Sequence, residues 1–220
     1  MPRTLKSLKT PLRYPGGKSK AVPKLLQYLP NLFQVKEFRE PFLGGGSVAL
    51  EITKRYPHID IWVNDLYEPL YNFWCELQHN GQELQDALLG IKSIYCNPDA
   101  ARCLFITSKE QINDSDLSNF DRAVAFYIVN KCSFSGLTES SSFSAQASES
   151  NFSTNGIERL TEYSEIIERW KITNLSYESM LCDDKDTFIY LDPPYDIKDN
   201  LYGKKGEMHK RFDHDKFAHD

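Results

Sequence analysis

Residues 188–196, FIYLDPPYD, place a carboxylate, a rigid stretch of backbone and an aromatic ring side by side. Two consecutive prolines remove two backbone donors and stiffen the chain, so the carbonyl groups of this segment are held exposed. Asp192 and the carbonyl of Pro193 can both accept hydrogen bonds from one amino group, while Tyr195 can stack on the base that carries it. Two acceptors can orient a poorly nucleophilic amine, such as that of adenine, and positioning and electrostatics then supply most of the rate. We therefore predict a catalytic site for an exocyclic amine, formed by Asp192, Pro193, Pro194 and Tyr195.

A second set of candidate residues is the glycine cluster in residues 39–47, REPFLGGGS, together with an acid farther along the chain. Glycines after a strand let the backbone approach a ligand, and the helix that follows offers free N–H groups. Asp65 lies 21 residues after Gly44, at the predicted end of the next strand. An acid in this position can bind the hydroxyl groups of a ribose. The pattern predicts a site for a cofactor that contains a nucleoside.

Residues 13–20, RYPGGKSK, contain a Gly-Lys pair ahead of a predicted helix. The phosphate-binding loop of nucleoside triphosphatases needs a glycine five residues before that pair, and Leu12 occupies this position. We therefore exclude ATP hydrolysis of that class. What remains is the aromatic residue Tyr14, a tight turn, and Lys18 at the start of a helix.

The elements that must position these residues alternate between strands and helices. They are helix 19–29, strand 35–42, helix 47–56, strand 58–65, a mostly helical stretch over 66–91, and strands 171–180 and 187–195. A strand, a glycine loop, a helix and a second strand make a βαβ unit, which implies a parallel sheet. We therefore predict an α/β fold.

The middle of the chain has a different composition and is predicted to be an insertion. A helix begins near residue 119, with Asn119 or Asp121 as its cap. The serine-rich stretch 137–156 is typical of a loop or an irregular hairpin, and 157–170 is an amphipathic helix. The predicted organisation is one catalytic domain split in sequence, with parts at 1–75 and 158–220 and an insertion at 76–157.

Composition limits the classes of protein to which the chain can belong. The chain has 220 residues and a net charge of −5, yet several basic residues precede the first acid, Glu37, and a basic N-terminal segment can contact phosphates. The five cysteines form no C-x-x-C pair, and no apolar run reaches transmembrane length. The histidines near the end recur every five residues, which spreads them around a helix. We predict a cytoplasmic protein without a membrane segment and without a metal.

Four motifs in this order carry a resemblance to a known family. They are RYPGGKSK, REPFLGGGSVAL, VNDLY and YLDPPYD. Together they resemble the Dam-like (D12 class, alpha group) DNA adenine-N6 methyltransferases. The resemblance implies a Rossmann-like, S-adenosylmethionine-dependent methyltransferase sheet with an inserted, mainly helical target-recognition lobe. It also implies that S-adenosylmethionine is the methyl donor and that the target adenine is flipped out of duplex DNA.

The resemblance assigns roles to residues by their place in the motifs. Cofactor binding falls to Tyr14, Lys18, Phe42, Gly44, Gly46, Asp65 and Asp192. Contact with the target base falls to Asp192, the Pro193 carbonyl and Tyr195. Residues 130–137, NKCSFSGL, resemble the start of the family's DNA-contacting hairpin. DNA binding accordingly falls to Arg13, Asn130, Lys131 and Phe134, with Phe134 in the place of an intercalating aromatic residue.

Three functions stay open at this point. The first is site-specific methyl transfer to adenine N6 in double-stranded DNA, with a restriction endonuclease of the same system as a further partner. The second keeps the cofactor and the catalytic motif but uses RNA or a protein amide as acceptor. The third is a non-catalytic remnant that binds only DNA or cofactor, because the family pattern continues beyond Asp220 and the chain resembles a C-terminally truncated member.

Overall fold

The centre of the fold is a sheet of four parallel strands in the order β3-β2-β1-β4. The computed structural model describes residues 9–136, 140–195, 210 and 212–220. The strands are β1 (Glu37–Glu40), β2 (Asp60–Asn64), β3 (Lys171–Thr173) and β4 (Thr187–Ile189). The predicted α/β class with a parallel sheet is confirmed.

Helices surround this sheet and form a separate layer of their own. They are α1 (Val22–Leu25), α2 (Ser47–Arg55), α3 (Glu68–His79), α4 (Gly81–Ile94), α5 (Pro98–Gln111), α6 (Asn119–Cys132), α7 (Ala145–Ser150), α8 (Thr154–Ile157), α9 (Leu160–Ile167) and α10 (His214–His219). Short 3-10 turns lie at Leu32–Gln34, Phe134–Gly136 and Tyr177–Met180.

The strand order creates a crevice at one end of the sheet. The chain leaves β1 through α2 toward β2, whereas β4 pairs with the other side of β1. In open parallel sheets, ligands bind outside the carboxyl ends of the strands at such a change of direction. Asp65 and Asp192 each follow a strand of this sheet. They therefore reach the same edge although 127 residues separate them in sequence.

The helical part of the fold is built around α6. Every residue from Ala123 to Cys132 is buried, so this helix is enclosed on all sides. It packs between α3 and α5, and the ring of Phe73 stacks on Tyr127 at 5.9 Å and lies 5.6 Å from that of Phe126. The inserted segment thus has an aromatic core that continues into the core behind the sheet.

Several predicted elements differ in extent from the structure: helix 19–29 is limited to Val22–Leu25 and strand 187–195 to Thr187–Ile189. The helical stretch 66–91 is two helices, because the chain breaks at Asn80 where Gly81 approaches Ser164 of α9. Strand 171–180 ends after three residues. There the side chain of Asn64 accepts from the Leu175 N–H at 2.7 Å and donates to the Leu175 carbonyl at 2.9 Å, which turns the chain out of the sheet.

The serine-rich stretch 137–156 is not a loop throughout, which corrects the prediction. Ser144 and Ser153 cap α7 and α8 by accepting hydrogen bonds from the N–H groups three residues ahead. Ser118, rather than Asn119 or Asp121, caps α6 in the same way. The predicted hairpin is present as an antiparallel bridge between Ser133 and Phe143, and residues 137–139 lie outside the described part.

Strands from both sides of the helical segment build one sheet. The domain boundaries predicted at 75/76 and 157/158 fall inside α3 and at the end of α8, and they stay a prediction. Helix length and hydropathy in the described residues fall short of what a bilayer crossing needs. The five cysteines have free thiols, and the described residues contain no cluster of side chains that could hold a metal. The cytoplasmic location stays a prediction.

A pair of glycine substitutions tests the turn after β1. Gly46 has φ +68°, and a Cβ there would lie 2.8 Å from the ring of Trp74. We expect Gly46→Ala to lower the free energy of unfolding by about 2 kcal/mol or more, because of backbone strain and the clash. Gly90, within α4, has open space around it, so Gly90→Ala should raise the same quantity by about 0.5–1 kcal/mol. Urea unfolding of both variants measures the free energy of unfolding. Equal changes in the two variants would contradict the strain and clash expected for a side chain at Gly46.

Candidate active site

A pocket of about 290 Å3 lies at the carboxyl end of the sheet. Its walls come from five stretches of chain and the start of α10: residues 14–18, 40–48, 64–67, 175–178, 192–195, 212, 213 and 216. All residues predicted for cofactor binding and for catalysis line this one pocket. They are Tyr14, Lys18, Phe42, Gly44, Gly46, Asp65, Asp192, Pro193, Pro194 and Tyr195.

The floor of the pocket is the glycine turn between β1 and α2. Gly44 has φ +50°, and a Cβ at this residue would lie 2.8 Å from the ring of Tyr14. On the other side, the indole N–H of Trp74 donates to the Gly44 carbonyl at 3.2 Å. The missing side chains at Gly44 and Gly46 let two aromatic rings pack against the turn while its backbone stays open to the pocket.

Asp65 holds the turn to the end of β2. Its Oδ2 accepts from the Gly44 N–H at 2.8 Å and its Oδ1 from the Tyr67 N–H at 3.0 Å. Burial raises the pKa of Asp65 to about 6, although both hydrogen bonds favour the ionised form. Each oxygen keeps acceptor capacity toward the pocket. The ribose contact predicted for Asp65 stays a prediction, and the carboxylate also has this structural role.

Glu40 is a pocket residue that the sequence analysis did not single out. It ends β1, is 3% exposed, and its Oε2 accepts from the Ala49 N–H at 2.9 Å. It thereby satisfies the start of α2, where the capping position is a glycine without a side chain. Burial first, and then the charges of Asp192 and Asp65, raise its pKa well above the usual range. Its place directly before the Pro-Phe pair of the glycine motif was the available signal.

Asp192 forms a network with Lys18 and Tyr195. The Lys18 ammonium lies 2.5 Å from Asp192 Oδ2 and 2.5 Å from the Tyr195 hydroxyl, which itself donates to Asp192 Oδ1 at 3.1 Å. Burial alone would lower the pKa of Lys18, but the hydrogen bonds and charges of Asp192 and Tyr195 outweigh it and raise the pKa. The lysine therefore contacts the predicted catalytic acid, and the cofactor contact that the family resemblance implies for it stays a prediction.

An aromatic cluster forms the far wall. The ring of Phe42 lies 5.6 Å from that of Tyr177, 5.7 Å from Phe212 and 5.8 Å from Phe217. Tyr177 and Phe212 were not predicted, because they follow β3 and precede α10 with no motif around them. The wall offers ring faces and edges of the kind on which a purine can stack.

Among the residues predicted for DNA binding, Arg13 and Asn130 are joined by hydrogen bonds. Asn130 is fully buried; its Oδ1 accepts from the Arg13 N–H at 2.9 Å, and its Nδ2 donates to the Arg13 carbonyl at 2.6 Å. Arg13 Nη1 donates to the Ser133 carbonyl at 2.7 Å. The structure therefore gives Asn130 the task of fixing Arg13, because its amide is enclosed rather than presented at the surface.

Lys131 and Phe134 differ sharply in exposure. Lys131 is 8% exposed and its ammonium lies 5.2 Å from the centre of the Tyr127 ring. Burial first, and then the charge of Arg13, lower the pKa of Lys131 to about 8. Phe134 is 64% exposed at the start of the hairpin, which is unusual for so large an apolar side chain. Of the two, only Phe134 exposes most of its side chain, and the DNA contacts of both residues stay a prediction.

A comparison of Asp65→Asn with the unchanged protein tests the buried carboxylate. The pKa of Asp65 is about 6 in the folded protein and near 4 in an unfolded chain, so its stabilising contribution is complete below about pH 4. That contribution decreases as the pH rises to about 6, and at higher pH it no longer changes. We expect the difference in free energy of unfolding between the two proteins to change between pH 4.5 and 6.5 and to level off at pH 7.5. Parallel curves over that range in urea unfolding would contradict the raised pKa.

Several proteins of known name are similar to this chain. Type II methyltransferase M.MjaIII of Methanocaldococcus jannaschii is 22% identical over 198 residues, which cover 84% of this chain and 68% of the relative. DNA adenine methylase of Vibrio cholerae is 28% identical over 189 residues, with 84% and 64% covered. DNA N-6-adenine-methyltransferase of Escherichia phage P1 is 26% identical over 126 residues, with 57% and 15% covered. The chain thus spans about two thirds of the length of the first two.

The family model of the D12 class N6 adenine-specific DNA methyltransferases matches residues 14–219. The match begins at Tyr14 and includes the glycine turn, Asp65 and the Asp-Pro-Pro-Tyr motif at Asp192, which all line the pocket. The chain belongs to the D12 class N6 adenine-specific DNA methyltransferase family.

Proposed function

We propose that this protein transfers a methyl group from S-adenosylmethionine to the N6 amine of an adenine flipped out of duplex DNA. The observation that carries the proposal is the position of Asp192 and its two prolines. They lie on the wall of a pocket whose floor is an open glycine turn, in a chain of the D12 class family. The relatives' names support adenine as the target base.

The backbone and the charges of the pocket lining support S-adenosylmethionine as the ligand. A Cβ at Gly44 or Gly46 would lie 2.8 Å from an aromatic ring, so this stretch of backbone can border a ligand only as glycine. Acids outnumber lysines among the described residues that line the pocket, which favours a ligand with cationic groups. We assign the ribose hydroxyls to Asp65 and the purine ring to the wall that contains Phe42.

The chain's own residues would prepare the amine. When bound, S-adenosylmethionine supplies an electrophilic methyl group on its sulfonium. Asp192 and the Pro193 carbonyl accept hydrogen bonds from the amine and turn its lone pair toward that methyl group. Tyr195 is 42% exposed at the pocket mouth, where its ring can stack on the flipped base. Lys18 must leave Asp192 Oδ2 before the amine can bind there, because both would occupy the same acceptor.

Duplex DNA is the proposed substrate because of the residues beside the pocket. Arg13 immediately precedes Tyr14 of the pocket wall, and it is tied to Ser133 at the base of the hairpin that presents Phe134. A wedge beside a pocket is what base flipping needs, since an inserted aromatic ring compensates for the lost stacking. The restriction endonuclease partner stays a prediction.

Transfer of labelled methyl from S-adenosylmethionine to unmethylated duplex DNA tests the proposal. We expect label on adenine N6, and we expect Asp192→Ala to reduce the rate by about a thousandfold because it removes an acceptor for the amine. Asp183→Ala is the control, since Asp183 is exposed in the loop before β4, at the opposite end of the sheet. Label on RNA or on protein amides, but not on DNA, would support the second function. A folded protein that transfers no methyl group would support the non-catalytic alternative.

The role of Phe134 is tested by a matched pair of exposed phenylalanines. Phe134 is 64% exposed beside the pocket, and Phe33 is 73% exposed near the opposite end of the sheet. We expect Phe134→Ala to lower the transfer rate at subsaturating DNA by about tenfold or more, while Phe33→Ala leaves it unchanged. Phe134→Ala should change the free energy of unfolding by less than about 0.5 kcal/mol, and Phe33→Ala by about 1 kcal/mol, because the ring of Phe33 packs against Tyr56. Equal rates for the two variants would remove Phe134 from the DNA interface.

A further inference from the structure

Helix α5 carries a basic face next to the hairpin. Arg102 and Lys109 are seven residues apart, which places them on one side of the helix about 10 Å from each other. Ile106, between them on the same side, is 54% exposed. This face was not singled out by any motif, and it lies outside the pocket.

Both cations lie against aromatic rings rather than carboxylates. The Arg102 guanidinium lies 5.3 Å from the centre of the Phe143 ring, and the Lys109 ammonium lies 5.7 Å from that of Phe105. The two rings touch each other, with centres 5.7 Å apart. Within the described residues neither cation forms an ion pair, although Asp99 and Glu110 belong to the same helix. Their charge therefore remains available to a partner.

The same contacts fix α5 to the hairpin. Phe143, under Arg102, pairs with Ser133, and Lys109 donates to the Ser141 carbonyl at 2.9 Å. The neighbouring residue on the first arm, Phe134, donates its N–H to the Ser142 carbonyl at 2.9 Å. Backbone and side-chain contacts thus connect the segment that carries Phe134 to the helix that carries the two cations.

We propose that Arg102 and Lys109 bind backbone phosphates of the duplex beside the flipped adenine, so that the DNA interface extends from the hairpin along α5. This inference rests on the proposed function. Arg13 contacts Ser133 on one side of the hairpin, and Arg102 covers Phe143 on the other. Cations therefore flank Phe134 on both sides. A guanidinium stacked on a ring loses little freedom when it binds phosphate, and such contacts position DNA without reading its sequence.

The salt dependence of DNA binding tests the surface directly. Each phosphate contact contributes about 0.9 to the slope of log K against log salt, so Arg102→Gln/Lys109→Gln should lower the slope by about 1.8. Affinity at 100 mM salt should fall on the order of tenfold. Fluorescence anisotropy of a labelled 20-base-pair duplex between 50 and 200 mM salt measures both. Arg102→Lys/Lys109→Arg keeps the charges and should keep the slope.

The matched control is Lys54→Gln/Lys185→Gln. Both lysines are exposed and unpaired within the described residues, and they lie at the end of α2 and before β4, at the opposite edge of the sheet. This control changes the net charge equally and should leave the slope unchanged.

Equal slopes for the α5 variant and the unchanged protein would overturn the proposal. An equal decrease of the slope in the control would also overturn it. If the α5 variant lowers the slope but the unchanged protein methylates no adenine, the α5 surface is supported and the proposed function is contradicted. If the unchanged protein methylates adenine but the α5 variant keeps the slope, the proposed function is supported and the α5 surface is contradicted.

Discussion

The hydrogen bond from the Gly44 N–H to Asp65 is the constraint on which the pocket depends. It joins the turn after β1 to the end of β2, and it makes the turn a fixed surface. Trp74 and Tyr14 then pack on either side of a backbone that has no side chains to prevent it. The turn therefore forms a well-held floor for the pocket, because glycine adopts its positive φ angles without strain while Asp65, Trp74 and Tyr14 contact it.

Much of this site could be predicted from sequence, because it follows from local rules. Asp65 and Asp192 each follow a strand, and parallel strands bring such residues to one edge. The glycine turn could be predicted from composition. The pairing of Lys18 with Asp192 could not be predicted, since it joins residues 174 positions apart. Glu40 was missed because a charged residue at a strand end looks like a solvated one until burial is known.

The corrected elements have similar causes. The serines of 137–156 were predicted to be loop residues, but two of them, Ser144 and Ser153, cap short helices, and composition alone does not separate a cap from a linker. The early end of β3 depends on the amide of Asn64, a residue more than a hundred positions away in sequence. Tertiary hydrogen bonds of this kind override the local preference of a segment.

The contact between Lys18 and Asp192 also has a consequence for how the protein comes into being. During synthesis Lys18 leaves the ribosome long before Asp192. The sheet cannot be completed until β4 is available to pair with β1. Contacts of such long sequence separation make folding slow, because a large loop must close before they form. A nascent chain can therefore complete its glycine turn early, yet it completes the pocket only when β4 and the residues that follow it have joined β1.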